Sequence, residues 1–317
     1  KRSLTPEMAL LLENALGISA KFLMNIQTQY ELDCAKQSER VVLQTKMLEI
    51  WNVLKEHVST QFFRKVNIIK GNIIEDVKRI FDVFAVDNLD DFFGLKAKEM
   101  ELAYYRKSEK VTTNPVDILS WKYYCYYCSK NDEQSLGNFD KNSGDLLTKE
   151  LNNVFKENSE TVKKTGEVLN KYGIRFMVVK KVGQVPVDGM SFWIGDNPTI
   201  VVTERISSID NFAFTTLHEV GHVFNHLTKD GKAMINLSDE KKDSEESEAD
   251  FALNAVVPNA DWKKFLARTR DIVPYKIAPY IKEEADKYDV NPQILFGRYK
   301  HDIGIYRIKN YFETKIL

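Results

Sequence analysis

The stretch TTLHEVGHVFNH, residues 215–226, constrains this chain more than any other, because it gathers three of the five histidines around one glutamate. His218, Glu219 and His222 form the pattern H-E-x-x-H. On a helix, positions i and i+4 share a face, so the two imidazoles converge while Glu219 points beside them. Zinc favours such nitrogen ligands, and a catalytic zinc keeps one position open for water. Glu219 is then placed to act as a general base toward that water. Ala213, Leu217, Val220, Phe224 and Leu227 recur at helical spacing, which predicts a buried stripe with the histidines on the adjacent face. Gly221 inside this helix costs about 1 kcal/mol relative to alanine, which suggests close approach of another group. His226 lies two turns beyond His218, about 12 Å along the axis, too far for one ion to reach both. It is read as a last-turn residue near free helix carbonyls.

The third ligand must come from elsewhere. The acidic stretch EESEAD, residues 245–250, leads into another helical pattern. In gluzincin-type sites a glutamate on a second helix completes the ligand set, and a carboxylate one turn later can orient a ligand histidine. Glu246 with Asp250 fits that spacing. Glu245 and Glu248 compete with it, since a one-residue shift in helix start changes which side chain faces inward.

The remaining composition is that of an ordinary globular chain. Its 317 residues are 43% apolar, and the formal net charge of −1 supplies no overall field toward nucleic acid or membrane. The three cysteines make no disulfide framework and suit a reducing cytoplasm. No apolar run spans a bilayer, and no signal peptide is visible. The chain opens at KRSLTPEM without an initiator methionine, so an upstream segment is expected.

Helical patterns dominate the first half. Thr5, Pro6 and Gly17 are start and stop signals for one short helix. Ser19 is the expected cap of the next, whose stripe Phe22, Ile26, Tyr30 and Cys34 makes Cys34 a small core residue. Leu43, Met47, Trp51, Leu54 and Val58 define a third apolar face. Residues 72–107 and 115–130 also read as helical, and NDEQSLGNFDKNSGD, residues 131–145, as a turn-rich break. After about residue 165 the character changes. IRFMVVKK and TIVVT at 199–203 read as strands, separated by the turn-rich VPVDGMSFWIGDNP. Residues 229–248 read as a charged loop, followed by the helix ADFALNAVV. Cys125 and Cys128, in C-x-x-C spacing, are assigned to an aromatic helix face. Arg298 and His301 are assigned chiefly to the surface or core edge, with a lesser possibility that they reach the cleft. The segment from Gly189 to Trp193 and the strand at 199–203 are candidate cleft walls, with an edge there able to pair with an extended substrate.

Several of these blocks resemble the ImmA/IrrE metallopeptidases. They are YGIRFMVV, VDGMSFWIGDNPTIVVTERISSIDNFAFTTLHEVGHVFNH, and E-x-E-A-D with its following F-A and proline, all in the family's order. VNPQILFGRYKHD is similar to a segment near the end of longer members. The resemblance, over about residues 170–305, implies a cytoplasmic Zn²⁺-dependent enzyme that cleaves an XRE-family repressor or antitoxin in a stress-response, mobile-element or toxin–antitoxin setting. The family usually places one residue between A-[DN] and F-A, whereas Phe251 directly follows Asp250. Aligning A-D makes Glu246 the ligand; aligning F-A and Pro258 makes it Glu245. LTPEMALLLENALGISAKFLMNIQTQYELDCAK resembles the last part of a HigA-type helix-turn-helix domain, downstream of its recognition helix. DNA binding is therefore expected only through a segment upstream of this chain.

The expected fold is α+β, a helical N-terminal region followed by a zincin-like metallopeptidase domain with a small sheet and the H-E-x-x-H helix. The expected divisions are 1–37, the helix-turn-helix remnant; 38–165, a helical middle; and 166–317, the peptidase domain. The expected site is His218, His222 and Glu246 on zinc with Glu219 as base. The competing expectation is a non-catalytic regulatory or antitoxin module that binds a partner protein.

Overall fold

The computed structural model describes residues 3–104, 114–183, 187–204, 206–225, 227–229, 234–237 and 246–316. Its contacts divide the chain into two compact units, Lys1–Asp82 with Val86–Phe93, and Val83–Ala85 with Gly94–Leu317.

The first unit begins with α1 (Pro6–Leu16), α2 (Ala20–Lys36), α3 (Glu39–Leu54) and α4 (Thr60–Lys65). The Thr5 side chain accepts from Met8 N and so caps α1, and the helix stops at Gly17 as its sequence predicts. The stripe on α2 has a different fate. Phe22, Ile26 and Tyr30 are all more than half exposed, and Cys34 is exposed too, so the expected core role of that thiol is corrected. Burial rises along α3, from exposed Leu43 to fully buried Leu54, and Val58 just beyond its end is buried too. Phe62, Phe63, Ile68, Ile69, Val77 and Ile80 of this unit are buried as well. Buried Asp76 accepts from Lys70 N and Gly71 N, both at 2.8 Å, and from Arg79 Nη1 at 2.9 Å. These bonds offset the cost of burying a carboxylate. The region read as helical over 72–107 is two helices, α5 (Ile73–Phe84) and α6 (Leu89–Tyr104).

In the second unit, α7 (Pro115–Lys130), α8 (Gly144–Glu157) and α9 (Thr161–Lys171) precede strand β1 (Arg175–Val179). β2 (Val187–Ile194) and β3 (Asn197–Thr203) follow as a hairpin whose two-residue turn, Gly195-Asp196, has φ 59° at the glycine. Then come α10 (Ile209–Asn225), β4 (Met234–Leu237), α11 (Glu246–Val256), α12 (Asn259–Arg268), α13 (Ala278–Tyr288) and α14 (Pro292–Asp302). The sheet order is β1-β3-β2-β4, with β1 parallel to β3 and the other pairs antiparallel. Two expectations are corrected here. VPVDGMSFWIGDNP contains β2 rather than a loop, and the charged stretch 229–248 contains β4.

Both sheet faces are covered, which is why β3 reads as a continuous apolar run rather than an alternation. α10 packs on β2 and β3, and α7 on β1 and β2. The register sorts the side chains between these faces. Phe176, Ile200 and Val202 join the core with α10, where Phe176 meets Phe212 at 6.3 Å between ring centres. On the other face, Phe192 meets Tyr126 of α7 edge-on at 4.6 Å, and Ser129 donates to Met177 Sδ. Cys125 of α7 is fully buried, and burial pushes its thiol well above the ordinary range. That state suits packing, not metal or redox chemistry. None of the described helices is long and apolar enough to cross a membrane.

Candidate metal and catalytic site

The H-E-x-x-H residues lie in the middle of α10, and the helix is buried without interruption from Thr215 to Phe224. The stripe expected from its sequence holds: Ala213, Leu217, Val220, Phe224 and Leu227 all belong to the core. Other helices and the sheet cover the rest, since α10 packs against α8, α11, α14, β2 and β3. At its N-terminal end, Gln293 Nε2 of α14 donates to Asp210 at 3.1 Å, and Ile209 N donates to Thr314 O at 2.8 Å.

His218 and His222 meet edge-on one turn apart, with ring centres 4.8 Å from each other and planes nearly perpendicular. Both are essentially inaccessible. Neither ring nitrogen of His218 has a hydrogen-bond partner among the described residues. Leaving buried polar groups unbonded costs about 1–3 kcal/mol each, a cost that coordination of a metal would offset. Burial alone pulls the His218 pKa down to about 4, so the ring is neutral near pH 7. A neutral imidazole is the form that binds a metal. The donors present therefore fit a zinc ion.

Glu219 points elsewhere, as a position 100° around the helix must. Its carboxylate lies against β2, where buried Ser191 Oγ donates to it and sits 3.3 Å from the Glu219 carbonyl oxygen. Gly189 makes this approach feasible. A Cβ there would lie 2.5 Å from Glu219 Oε1 and 2.9 Å from its Cγ and Cδ. Gly189 and Ser191 are two apart in a strand, hence on one face. Both residues lie within Gly189–Trp193, the segment expected to wall a cleft, though the pairing of Ser191 with Glu219 is not among the expectations.

α11 packs along α10 and begins at Glu246. The side chains of Glu246 and Glu248 lie outside the described residues, as do Glu245 and His226. Asp250 is exposed and accepts from Asn259 Nδ2 at 3.0 Å. Arg298 holds the far end of α11. Its Nη1 donates to Leu253 O at 3.0 Å and Val257 O at 2.9 Å, its Nη2 donates to Asn259, and it lies over the Trp262 ring. Burial lowers its pKa to about 10, still charged at neutral pH. His301 is exposed beside Asp302. The core-edge assignment of Arg298 thus agrees with its contacts. β3 is an inner strand with β1 and β2 on either side, so it offers no edge to a substrate.

Residues 170–286 match the family model Peptidase_M78, the IrrE N-terminal-like domain. The match takes in β1 through most of α13, with the whole histidine helix and the acidic start of α11, somewhat over a third of the chain. This part of the chain is therefore similar to a metallopeptidase domain. No curated protein matches the chain.

Proposed function

We propose that the second unit is a zincin-like, zinc-dependent metallopeptidase of narrow substrate range. His218, His222 and Glu246 hold the metal, with Glu245 or Glu248 as the alternatives for the third position. The observation that carries this reading is the buried pair of imidazoles one turn apart, that of His218 neutral, with Glu219 fixed beside them. Bound zinc supplies Lewis acidity toward water and the scissile carbonyl. Glu219 takes the proton of the attacking water and passes it toward the leaving amine. The proposed substrate is an XRE-family repressor or antitoxin, cleaved in the cytoplasm in a stress-response, mobile-element or toxin–antitoxin setting. Residues 1–37 are proposed to complete a helix-turn-helix domain when joined to an upstream segment.

A second reading draws on the complete burial of Glu219. A base must meet water, so a permanently buried one would make the fold a non-catalytic regulatory or antitoxin module. One set of proteins separates the two. Purified wild type is expected to carry about one zinc per chain, the content of a single catalytic site, and His222→Ala none. Glu246→Gln should weaken zinc more than Glu245→Gln or Glu248→Gln. Glu219→Gln should keep zinc while cleavage of a small XRE-type repressor encoded beside the gene, followed by mass, slows by about 10²–10⁴-fold. Full zinc in His222→Ala would remove the metal site. Equal biological output from wild type and Glu219→Gln in cells, with His222→Ala altered, would favour the non-catalytic module.

A further inference from the structure

The α10-facing side of β2 departs from its surroundings. On β3 the same face carries Ile200 and Val202, while their register partners on β2 are Ser191 and Gly189. The strand thus places its smallest residues opposite Glu219. β2 is paired on both edges, to β3 and β4, so its backbone is a rigid mount. A glutamate side chain left alone has three rotatable bonds, and a base must lie within hydrogen-bond reach of its proton. Here the notch at Gly189 admits the carboxylate, and the Ser191 hydroxyl fixes one of its oxygens.

We propose that Ser191 is the positioning residue of the Glu219 base, with Gly189 supplying the space in which that carboxylate is held. The inference rests on the peptidase reading above. Ser191 touches neither the water nor the metal ligands in this role; it acts by orienting Glu219. If serine were there only as a small filler, alanine would serve equally.

The test uses the zinc-loaded full chain, a mixed library of short peptides with cleavage read by mass, and melting temperature as a readout independent of activity. Ser191→Ala is expected to keep its zinc and its KM, while kcat on the best-cleaved peptide falls about 10–100-fold, the usual range for a residue supporting a catalytic group. Ser191→Thr keeps the hydroxyl and should recover most of that loss. It also tests the role if the alanine variant fails to fold. In a Glu219→Gln background, Ser191→Ala should cost nothing further. Gly189→Ala should lower both kcat and melting temperature, and Glu219→Ala, which deletes the atoms in the way, should restore the melting temperature. Unchanged kcat in Ser191→Ala, a loss carried by KM or zinc content, or no restoration by Glu219→Ala would each overturn the proposal. A zinc-loaded wild type that cleaves neither a library peptide nor the XRE-type repressor encoded beside the gene sinks the peptidase reading and the positioning role together. Wild-type cleavage with an equally active Ser191→Ala sinks the positioning role alone.

Discussion

Helices α2 and α10 are each seventeen residues long and each carries apolar residues at helical spacing, yet α2 has no buried residue whereas α10 has thirteen. The stripes Phe22, Ile26, Tyr30 and Ala213, Leu217, Val220 look alike in the sequence. Periodicity forecasts which residues share a face, but contact with another element decides whether that face loses water. The polar residues separate the two helices more sharply. α2 leaves its charged groups in solvent, with Lys36 and Asp33 paired at 3.3 Å on the surface. α10 takes His218, Glu219 and His222 into its interior. Such groups are retained in a core only where a partner or a ligand compensates them.

The largest effect that tests this contrast is Leu217→Ala. Leu217 is fully buried in the core cluster, one position before the first site histidine. Truncation there removes packing and leaves a cavity, an expected loss of about 2–5 kcal/mol. Denaturant unfolding of the full chain, followed for the transition of the second unit, measures it. A loss under about 1 kcal/mol would mean that α10 is less closely packed than its burial implies.

Arg298→Ala comes next, with an expected cost of about 2–4 kcal/mol, from two charged hydrogen bonds to one buried and one part-buried carbonyl and the stacking on Trp262. Arg298→Lys should recover only part, because an ammonium cannot reproduce the planar fork. Since Arg298 anchors the end of α11 and that helix starts at Glu246, the alanine variant should also bind zinc more weakly under the proposed ligand set. Unaltered zinc affinity with lowered stability would separate α11 from the metal site.

Local chemistry made a good part of this legible. Thr5, Pro6 and Gly17 bound α1, and the H-E-x-x-H spacing with its apolar stripe located α10 and faced its histidines together. Strand β2 was missed although its signal was present. The dipeptide Gly195-Asp196 between SFWI and NPTIVV is a two-residue hairpin turn, but the glycine at 189 and the proline at 198 made the stretch resemble a loop. The pairing of Ser191 with Glu219 was out of reach for a different reason. Their separation of 28 residues is closed only by sheet register and by α10 packing, neither of which leaves a local trace. The link from α11 to Arg298 is hidden in the same way, since its hydrogen bonds span 45 and 41 residues and join a helix end, not a motif.

The smallest effect is expected at Phe22→Ala, and it bears most directly on α2. Phe22 is 58% exposed, and no residue of α2 is buried. Its truncation deletes surface that water already reaches, so stability should change by no more than about 0.5 kcal/mol. The opposing contribution is equally small, because alanine is the better helix former by a few tenths of a kcal/mol. Measured by denaturation of the first unit under the same conditions as Leu217→Ala, the two variants give a direct ratio between the helices. A loss above about 1.5 kcal/mol at Phe22 would place its ring in a packed interior in solution. The two stripes would then be equivalent in energy as well as in spacing, and the contrast would reduce to the polar residues that only α10 carries inward.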